Sequence, residues 1–238
     1  MLSAVIIARD EADRIEDAIR SVAFADECVV LDSGSTDDTV ARARALGARV
    51  VRTDWPGHVA QKNRALAEAR GDWVLAIDAD ERVTEPLRAA ILSAVGAPAA
   101  DGYRMARRNW WLGKRLAHGH WYPDARVRLA RRDAARWGGQ DPHDVLIVDG
   151  VVADLAGDLD HLPYRSLAEH LATIDRYSAI DARAGSWLDI LVRPPWHFFH
   201  GYVLRRGFLD GAPGLVVAAL GAVYTLLKWS RRRFEGAP

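Results

Sequence analysis

The sequence predicts an α/β fold: a parallel sheet covered by helices on both faces, followed by a helical extension. Three observations predict it. Over the first hundred residues, short apolar runs alternate with stretches of helical periodicity, the pattern of successive βαβ units. Three of those runs end in acids, at Asp10/Glu11, Asp32 and Asp78/Asp80. Towards the end the alternation stops, and residues 211–227 pass without a charged side chain.

Residues 2–8 (LSAVIIA) are apolar and stop at Arg9, Asp10 and Glu11. The run is too short for a secretory signal and lacks a basic start, so it reads as a buried strand. Ile15, Ala18, Ile19 and Val22 follow at i, i+3, i+4, i+7, the spacing of an amphipathic helix. Residues 28–31 (CVVL) form the second strand and lead into DSGSTDD at 32–38. Ser35 and the acids after it suit a helix start, with Val40, Ala43 and Leu46 facing inward and Gly47 ending the helix. Residues 48–53 (ARVVRT) are a third strand, and 58–70 a helix stopped by Gly71. Residues 73–77 (WVLAI) are the fourth strand, running into Asp78-Ala79-Asp80-Glu81. Thr84 with Pro86 opens another helix, to about Val95.

The chain has 238 residues, enough for a large core, and its 32 basic and 32 acidic groups cancel. A charged fraction of 27% beside ample aliphatics argues against a disordered chain. Cys28 is the single cysteine, so no intrachain disulfide or all-cysteine metal site is available, as in a reducing compartment. No run reaches the ~20 apolar residues of a typical spanning helix, which argues against a multi-pass membrane protein. The neutrality is a sum of unequal blocks. Residues 1–101 carry a net −6, 102–137 a net +8, 138–190 a net −7 and 191–238 a net +5. These blocks, with the end of the βα alternation, suggest three segments, at 1–101, 102–190 and a tail at 191–238.

Parallel sheets of this kind bind ligands beyond the carboxyl ends of their strands. One acidic cluster there is ordinarily a solvated loop or a helix cap; three at one edge argue for a site. No G-x-G-x-x-G follows the first strand and no G-x-x-x-x-G-K-[ST] occurs, which excludes the usual dinucleotide and phosphate-loop signatures. The pair Asp78 and Asp80 can face one hard cation, Mg²⁺ or Mn²⁺. Such a cation bridges a diphosphate and neutralises the charge that builds as it leaves.

The runs ARDE (8–11), VLDSGSTDDT (30–39), QKN (61–63) and GDWVLAIDADE (71–81) resemble the donor half of family 2 glycosyltransferases, which have the GT-A fold, a Rossmann-like nucleotide-diphospho-sugar transferase fold. The resemblance implies an activated nucleotide-sugar donor and inversion at the anomeric carbon. It places Asp32 on the base, with Ala8, Asp10 and Glu11 near the nucleoside. It places Lys62 near the donor, Asp80 on the metal, and Asp78 near ribose or metal. Asp10 stands where the family usually has Asn, and a carboxylate accepts hydrogen bonds without donating them.

Residues 102–137 hold ten basic side chains and Trp110, Trp111, Trp121 and Trp137. Some of these aromatics fill core; with arginine they also suit a phosphorylated sugar. Nucleic acid is the competing partner for such a stretch and is set aside, because the donor block explains the chain better. Residues 103–108 and 126–130 read as strands around a loop bearing His118 and His120, which are acceptor candidates. The stretch GYRMARRNWWLGKRLAHGHWYPDARVRLARR (102–132) is similar to the subgroup containing bacterial lipopolysaccharide-core β-1,4-glucosyltransferases, which extends the resemblance over nearly the whole chain.

An inverting transfer needs a base for the acceptor hydroxyl. In QDPHDV (140–145), His143 and Asp144 fall where the subgroup usually shows His-Glu. The resemblance makes Asp144 the base and His143 a metal ligand or orienter; the alternative is a loop Asp beside a surface His. A zinc site from His118, His120 and His143 rests on ligand type alone. Residues 145–155 are strand-like, and Leu167, Leu171, Ile174 and Ser178 space a helix over 166–184.

In the tail, aromatics crowd 195–209, and a helix over 214–227 spans about 21 Å, short of the ~30 Å hydrocarbon layer. Lys228, Trp229 and Arg231, Arg232 and Arg233 follow it. Monotopic attachment to an anionic membrane surface is expected; a buried hairpin of core helices is the alternative. Together these readings describe a metal-dependent hexosyltransferase at the cytoplasmic face of the inner membrane. It would move glucose from UDP-glucose to a lipid-linked saccharide such as the lipopolysaccharide inner core, without a nucleic-acid partner. Transfer to a polyprenyl phosphate, nucleotidyl transfer, and a non-catalytic nucleotide-sugar or glycan binder remain as alternatives.

Overall fold

The computed structural model describes residues 1–141 and 143–235, and the chain divides into two compact units. Residues 1–107 and 125–161 form the first; residues 108–124 and those from 162 onward form the second. These are spatial units, and they cut across the three charge-defined segments. Pro142 and the last three positions of the tail lie outside the described residues.

The first unit opens with β1 (Leu2–Ala8), α1 (Ile15–Ser21), β2 (Glu27–Asp32), α2 (Thr39–Ala45), β3 (Arg49–Arg52), α3 (His58–Glu68) and β4 (Trp73–Asp78). β1 pairs in parallel with β2 and β4, and β2 with β3, so the order at this end is β3-β2-β1-β4. Strands covered on both faces need apolar residues at every position, which is why they appear as unbroken runs. On one face Ile6, Val30 and Leu75 pack with Ile15, Leu87 and Ile91. On the other, Val5, Leu31 and Val74 pack with Leu66 and Trp137.

The sheet is mixed rather than wholly parallel. β8 (Asp124–Arg131) runs antiparallel to β4, with Leu75 opposite Leu129. Beyond it lie β6 (Gly102–Trp111), β11 (Val152–His161) and β5 (Glu81–Val83); α4 (Glu85–Gly96) packs against β11. Two local readings change. Helix α2 starts at Thr39, because Asp37 takes the Thr39 and Ala12 backbone N–H groups and holds 35–38 as a loop. The expected strand at 145–155 is two strands, β10 (His143–Val148) and β11, turned at Asp149 and Gly150. Gly150 has φ +144°, and a Cβ there would meet the Asp101 carboxylate at 2.2 Å. β10 pairs antiparallel with β9 (Ala135–Gln140) as a separate ribbon.

The second unit holds the hairpin of β6 with β7 (Lys114–Arg115) and three helices, α5 (Leu167–Ile180), α6 (Trp187–Phe199) and α7 (Gly211–Phe234). α5 is shorter than the 166–184 span expected, and its buried face is His170, Ile174 and Ser178, while Leu167 and Leu171 are exposed. A capping box of Ser186 and Asp189 opens α6, which continues through Pro194 and Pro195. Each proline removes one backbone donor, here those facing the carbonyls of Ile190 and Leu191, and the chain widens into a π-type turn at His200–Leu204.

α7 has 24 residues instead of the 14 expected, because the helix runs on through Arg233. At 1.5 Å per residue it is about 36 Å long, so it does not fall short of the hydrocarbon thickness. Among the described residues, Gly207–Phe234 is long and apolar enough to cross a membrane by length and composition, with 17% of its most apolar window buried. Polar contacts hold it along α5: Arg231 meets Asp175 and Ser178, and Lys228 meets Asp181 at 3.3 Å.

Candidate active site

The acids at the ends of β1, β2 and β4 have different surroundings. Asp32 is fully buried, and its carboxylate accepts from the backbone N–H of Gly34 and Ser35 at 3.2 Å. It shapes the 33–35 turn, with Arg52 at 3.8 Å. Ala8 lies opposite Asp32 in the sheet, and its carbonyl accepts from Ser33 N–H at 3.0 Å. Asp10 is exposed, with φ +55°. Its carboxylate accepts from Thr36 N–H at 2.8 Å and from the Thr36 hydroxyl at 3.1 Å, and the Thr36 backbone bond above all holds its pKa below the ordinary value. An Asn oxygen could accept the same two bonds, so Asp10 fills the structural part of the position it resembles. Glu11 donates its N–H to Thr39 Oγ1 at 2.8 Å and starts α1 by accepting from Arg14 and Ile15.

The densest charge lies at the end of β4. Lys62, buried on α3, sits between Asp78 Oδ1 at 2.9 Å and Asp144 Oδ2 at 2.7 Å, 4.6 Å from the centre of the Trp137 ring. Arg128 on β8 reaches Asp78 Oδ2 at 2.7 Å and Glu81 Oε1 at 2.8 Å, and Arg107 on β6 reaches Glu81 at 3.4 Å. Glu81 in turn accepts the Asp78 N–H at 3.0 Å. Burial alone would raise the pKa of Asp78, but Lys62 and then Arg128 overcome it and hold the carboxyl far below the usual range. The same opposition acts on Asp80, where His161 outweighs burial. His161 Nε2 lies 3.4 Å from Asp80 Oδ2. Arg82 fixes the connecting turn by donating to the carbonyls of Ala79 and Glu81 at 2.8 Å.

Asp80 and His161 supply an oxygen and a nitrogen donor beside the Asp78 carboxylate, and these donor types fit Mn²⁺ or Mg²⁺. No group of three or more His, Cys, Asp or Glu side chains is gathered as a ready-made metal cage among the described residues. That suits a cation held by one or two protein groups and completed by substrate phosphates. His143 is exposed at the start of β10, on the opposite side of the strand from Asp144. His118 is bound to Asp210 at 2.8 Å, and His120 stacks on His197 and His200.

The three residues of the QKN run divide the work of assembly. Gln61 donates to the hydroxyls of Ser33 at 2.9 Å and Thr53 at 2.7 Å, tying the ends of β2 and β3. Lys62 gathers Asp78 and Asp144. Asn63 exchanges two hydrogen bonds with the Trp137 backbone, donating and accepting at 2.9 Å. Asp141 caps α3 by accepting from His58 and Val59 N–H at 3.1 and 2.9 Å, and so brings the following Asp144 to Lys62. His161, Arg128 and Glu81 are the residues sequence reasoning missed. Alternation over 126–130 did not mark Arg128, because it sets that residue with Arg126 on the side opposite Val127 and Leu129.

The basic block is less free than its net charge suggests. Arg104, Arg107, Arg128, Arg131 and Arg136 pair with Asp154, Glu81, Asp78 and Glu81, Asp101 and Asp149 respectively. Much of the alternation in charge along the chain is cancelled by pairing within the fold.

The sequence is 29% identical to the lipopolysaccharide core biosynthesis glycosyltransferase LpsC of Rhizobium meliloti (strain 1021), over 95% of this chain and 89% of that one. An uncharacterized glycosyltransferase of Rickettsia bellii (strain RML369-C) is 31% identical over 98% of this chain and 86% of its own. Among solved structures, glucosyl-3-phosphoglycerate synthase from Mycobacterium tuberculosis, in complex with Mn²⁺, UDP and phosphoglyceric acid, matches 56% of each chain with 28% identity and a TM-score of 0.44. The profile of glycosyl transferase family 2 matches residues 3–149, the stretch that carries the strand-end acids, Lys62, Arg128 and Asp144. The chain belongs to glycosyl transferase family 2.

Proposed function

We propose that this glycosyltransferase is an inverting, metal-dependent hexosyltransferase acting at the cytoplasmic face of the inner membrane. Its donor would be a UDP-sugar, UDP-glucose first, and its acceptor a lipid-linked saccharide such as the lipopolysaccharide inner core. The observation that carries this reading is the Asp78–Asp80 pair at the end of β4, with Lys62 on one side and His161 on the other. The likeness to LpsC supports the acceptor class.

Asp80 and His161 would hold the cation, with Asp78 beside them in the grip of Lys62 and Arg128; the cation would supply charge neutralisation at the leaving diphosphate. The Asp32 turn would border the base. Lys62 would hold Asp78 and Asp144 side by side. It engages only Oδ2 of Asp144, which leaves Oδ1 for the acceptor proton. The reading is tested by incubating the full chain with a panel of nucleotide sugars and membrane extract. Release of UDP together with a hexose mass on the glycolipid is expected; release of pyrophosphate, or no turnover with any donor, would overturn it.

The Lys62–Asp144 pair supports a second reading, since it would hold the site together even if Asp144 moved no proton. The acceptor would then carry its own ionised oxygen, as a polyprenyl phosphate does. Asp144→Asn separates the two: a loss of about 10²-fold or more is expected for a base, and an unchanged rate favours polyprenyl phosphate.

The company α7 keeps supports attachment to the membrane surface rather than crossing it. Arg231 and Lys228 bind it to α5, which carries Glu169, Asp175 and Arg176. A helix with those charges is costly to move into hydrocarbon.

A further inference from the structure

The second unit contains a cavity lined by none of the strand-end acids. It has a volume of about 470 Å³ and is walled by α6, α7 and the segment around Arg183. Its cationic lining is Arg183, Arg193 and Lys228, and its aromatic lining includes Trp196, Trp229 and His200. Two of the cations are already balanced: Arg193 bonds Asp189 at 2.6 Å and Lys228 bonds Asp181 at 3.3 Å. The Arg183 guanidinium is exposed and has no carboxylate partner among the described residues. Arg193 also lies 4.2 Å over the Trp229 ring, which fixes the plane of its guanidinium. A concave site with a preset guanidinium, an uncompensated one and an ammonium fits a phosphate group.

The surroundings say which phosphate. Around α6, Trp187, Leu188, Leu191, Val192 and Phe199 form one exposed apolar stripe, bordering the buried Ile190 and Pro194. Leu188 is 71% and Leu191 67% exposed. Trp196 belongs to both the edge of this stripe and the cavity wall. Acyl chains along the stripe would leave a headgroup beside Trp196, at the mouth of the cationic cavity. A soluble phosphate ester would have no use for the stripe.

We propose that this cavity binds the phosphate of an anionic membrane lipid, docking the second unit on the bilayer through one recognised headgroup. The proposal rests on the membrane-surface reading above and adds a specific site to it. The test uses the full chain and flotation with two kinds of vesicle, phosphatidylcholine alone and phosphatidylcholine mixed with phosphatidylglycerol. Arg183→Gln should weaken binding to the mixed vesicles by more than about ten-fold. Arg232→Gln, an exposed arginine of α7 outside the cavity, should lose about five-fold or less, the effect of removing any one cation near an anionic surface. Equal losses in the two variants would overturn the site and leave the surface reading standing. The double variant Leu188→Asp, Leu191→Asp should abolish binding to both vesicle types. Failure of the unmodified chain to bind either vesicle would overturn the surface reading and the site together. Micromolar binding of soluble glycerol phosphate by the Leu188→Asp, Leu191→Asp protein would give the cavity to a soluble ester and overturn the lipid assignment.

Discussion

The two units treat apolar surface in opposite ways. The first hides it: Ile6, Leu31, Leu75 and Leu129 are wholly out of water, and the charges near them are matched by other buried charges. The second displays it: Trp187, Leu188, Leu191 and Trp196 stand exposed on one helix. Scattered exposed apolar residues need no explanation, but a contiguous stripe marks a surface that meets something other than water. The difference teaches that the first unit is built around a large interior, whereas the second keeps a small core at Trp111, Leu116 and Val217 and leaves much of its apolar surface in the open.

The largest effect expected is on chemistry in the first unit. Asp80→Ala should lower transfer by about 10³-fold or more, roughly 4 kcal/mol of barrier, with the circular dichroism spectrum unchanged. Next comes the buried charge network. Glu81→Ala leaves Arg128 and Arg107 without their shared partner and should cost about 3–5 kcal/mol in denaturant unfolding, where a surface pair would cost under ~1. Leu75→Ala, in the same core, should cost about 2–5 kcal/mol.

The second unit gives smaller effects. Burial holds the His170 imidazole down at about 4, from 6.5. Its Nδ1 accepts from Trp111 Nε1 at 3.1 Å, which requires that nitrogen to be unprotonated. The folded value lies below the unfolded one, so this contribution is complete above pH 6.5 and is lost as pH falls towards 4. The slope is at most about 1.4 kcal/mol per pH unit. Urea unfolding followed by tryptophan fluorescence at several pH values should show it, and His170→Gln should remove it. Smallest is Leu191→Ser, expected to change stability in solution by less than about 0.5 kcal/mol while weakening vesicle binding. If Leu191→Ser instead cost as much as Leu75→Ala, the contrast between the units would fail.

The same contrast explains how much could be read in advance. β1, β2 and β4 were legible because a strand buried on both faces must be apolar throughout, and their ends were legible because the acids start abruptly, whereas the half-buried β3 showed only its pair of valines. The resemblance set Lys62 near the donor, but nothing marked it as the bridge between Asp78 and Asp144. Lys62 and Asp144 are 82 residues apart, and no local pattern encodes such a distance. His161 was missed for the same reason: it sits at the end of a strand, ahead of a Leu-Pro pair that reads as a helix approach. In the second unit, Leu167 and Leu171 looked like an inner face because helical spacing reports a stripe without saying which side is covered.

The pairing of β11 with β5 places His161 opposite Glu81, and it has a consequence for how the enzyme comes into being. Both carboxylates of the acidic pair leave the ribosome early, while the imidazole that meets Asp80 arrives only after 80 further residues, at the last position of the last strand. A nascent chain therefore passes through a long interval in which the sheet has its acids but not their histidine. A one-residue slip in that final pairing would turn the ring to the opposite side of the sheet. The contact between Asp80 and His161 is thus timed by the closing of the sheet, and a chain cut before residue 161 would carry both acids without the imidazole that meets one of them.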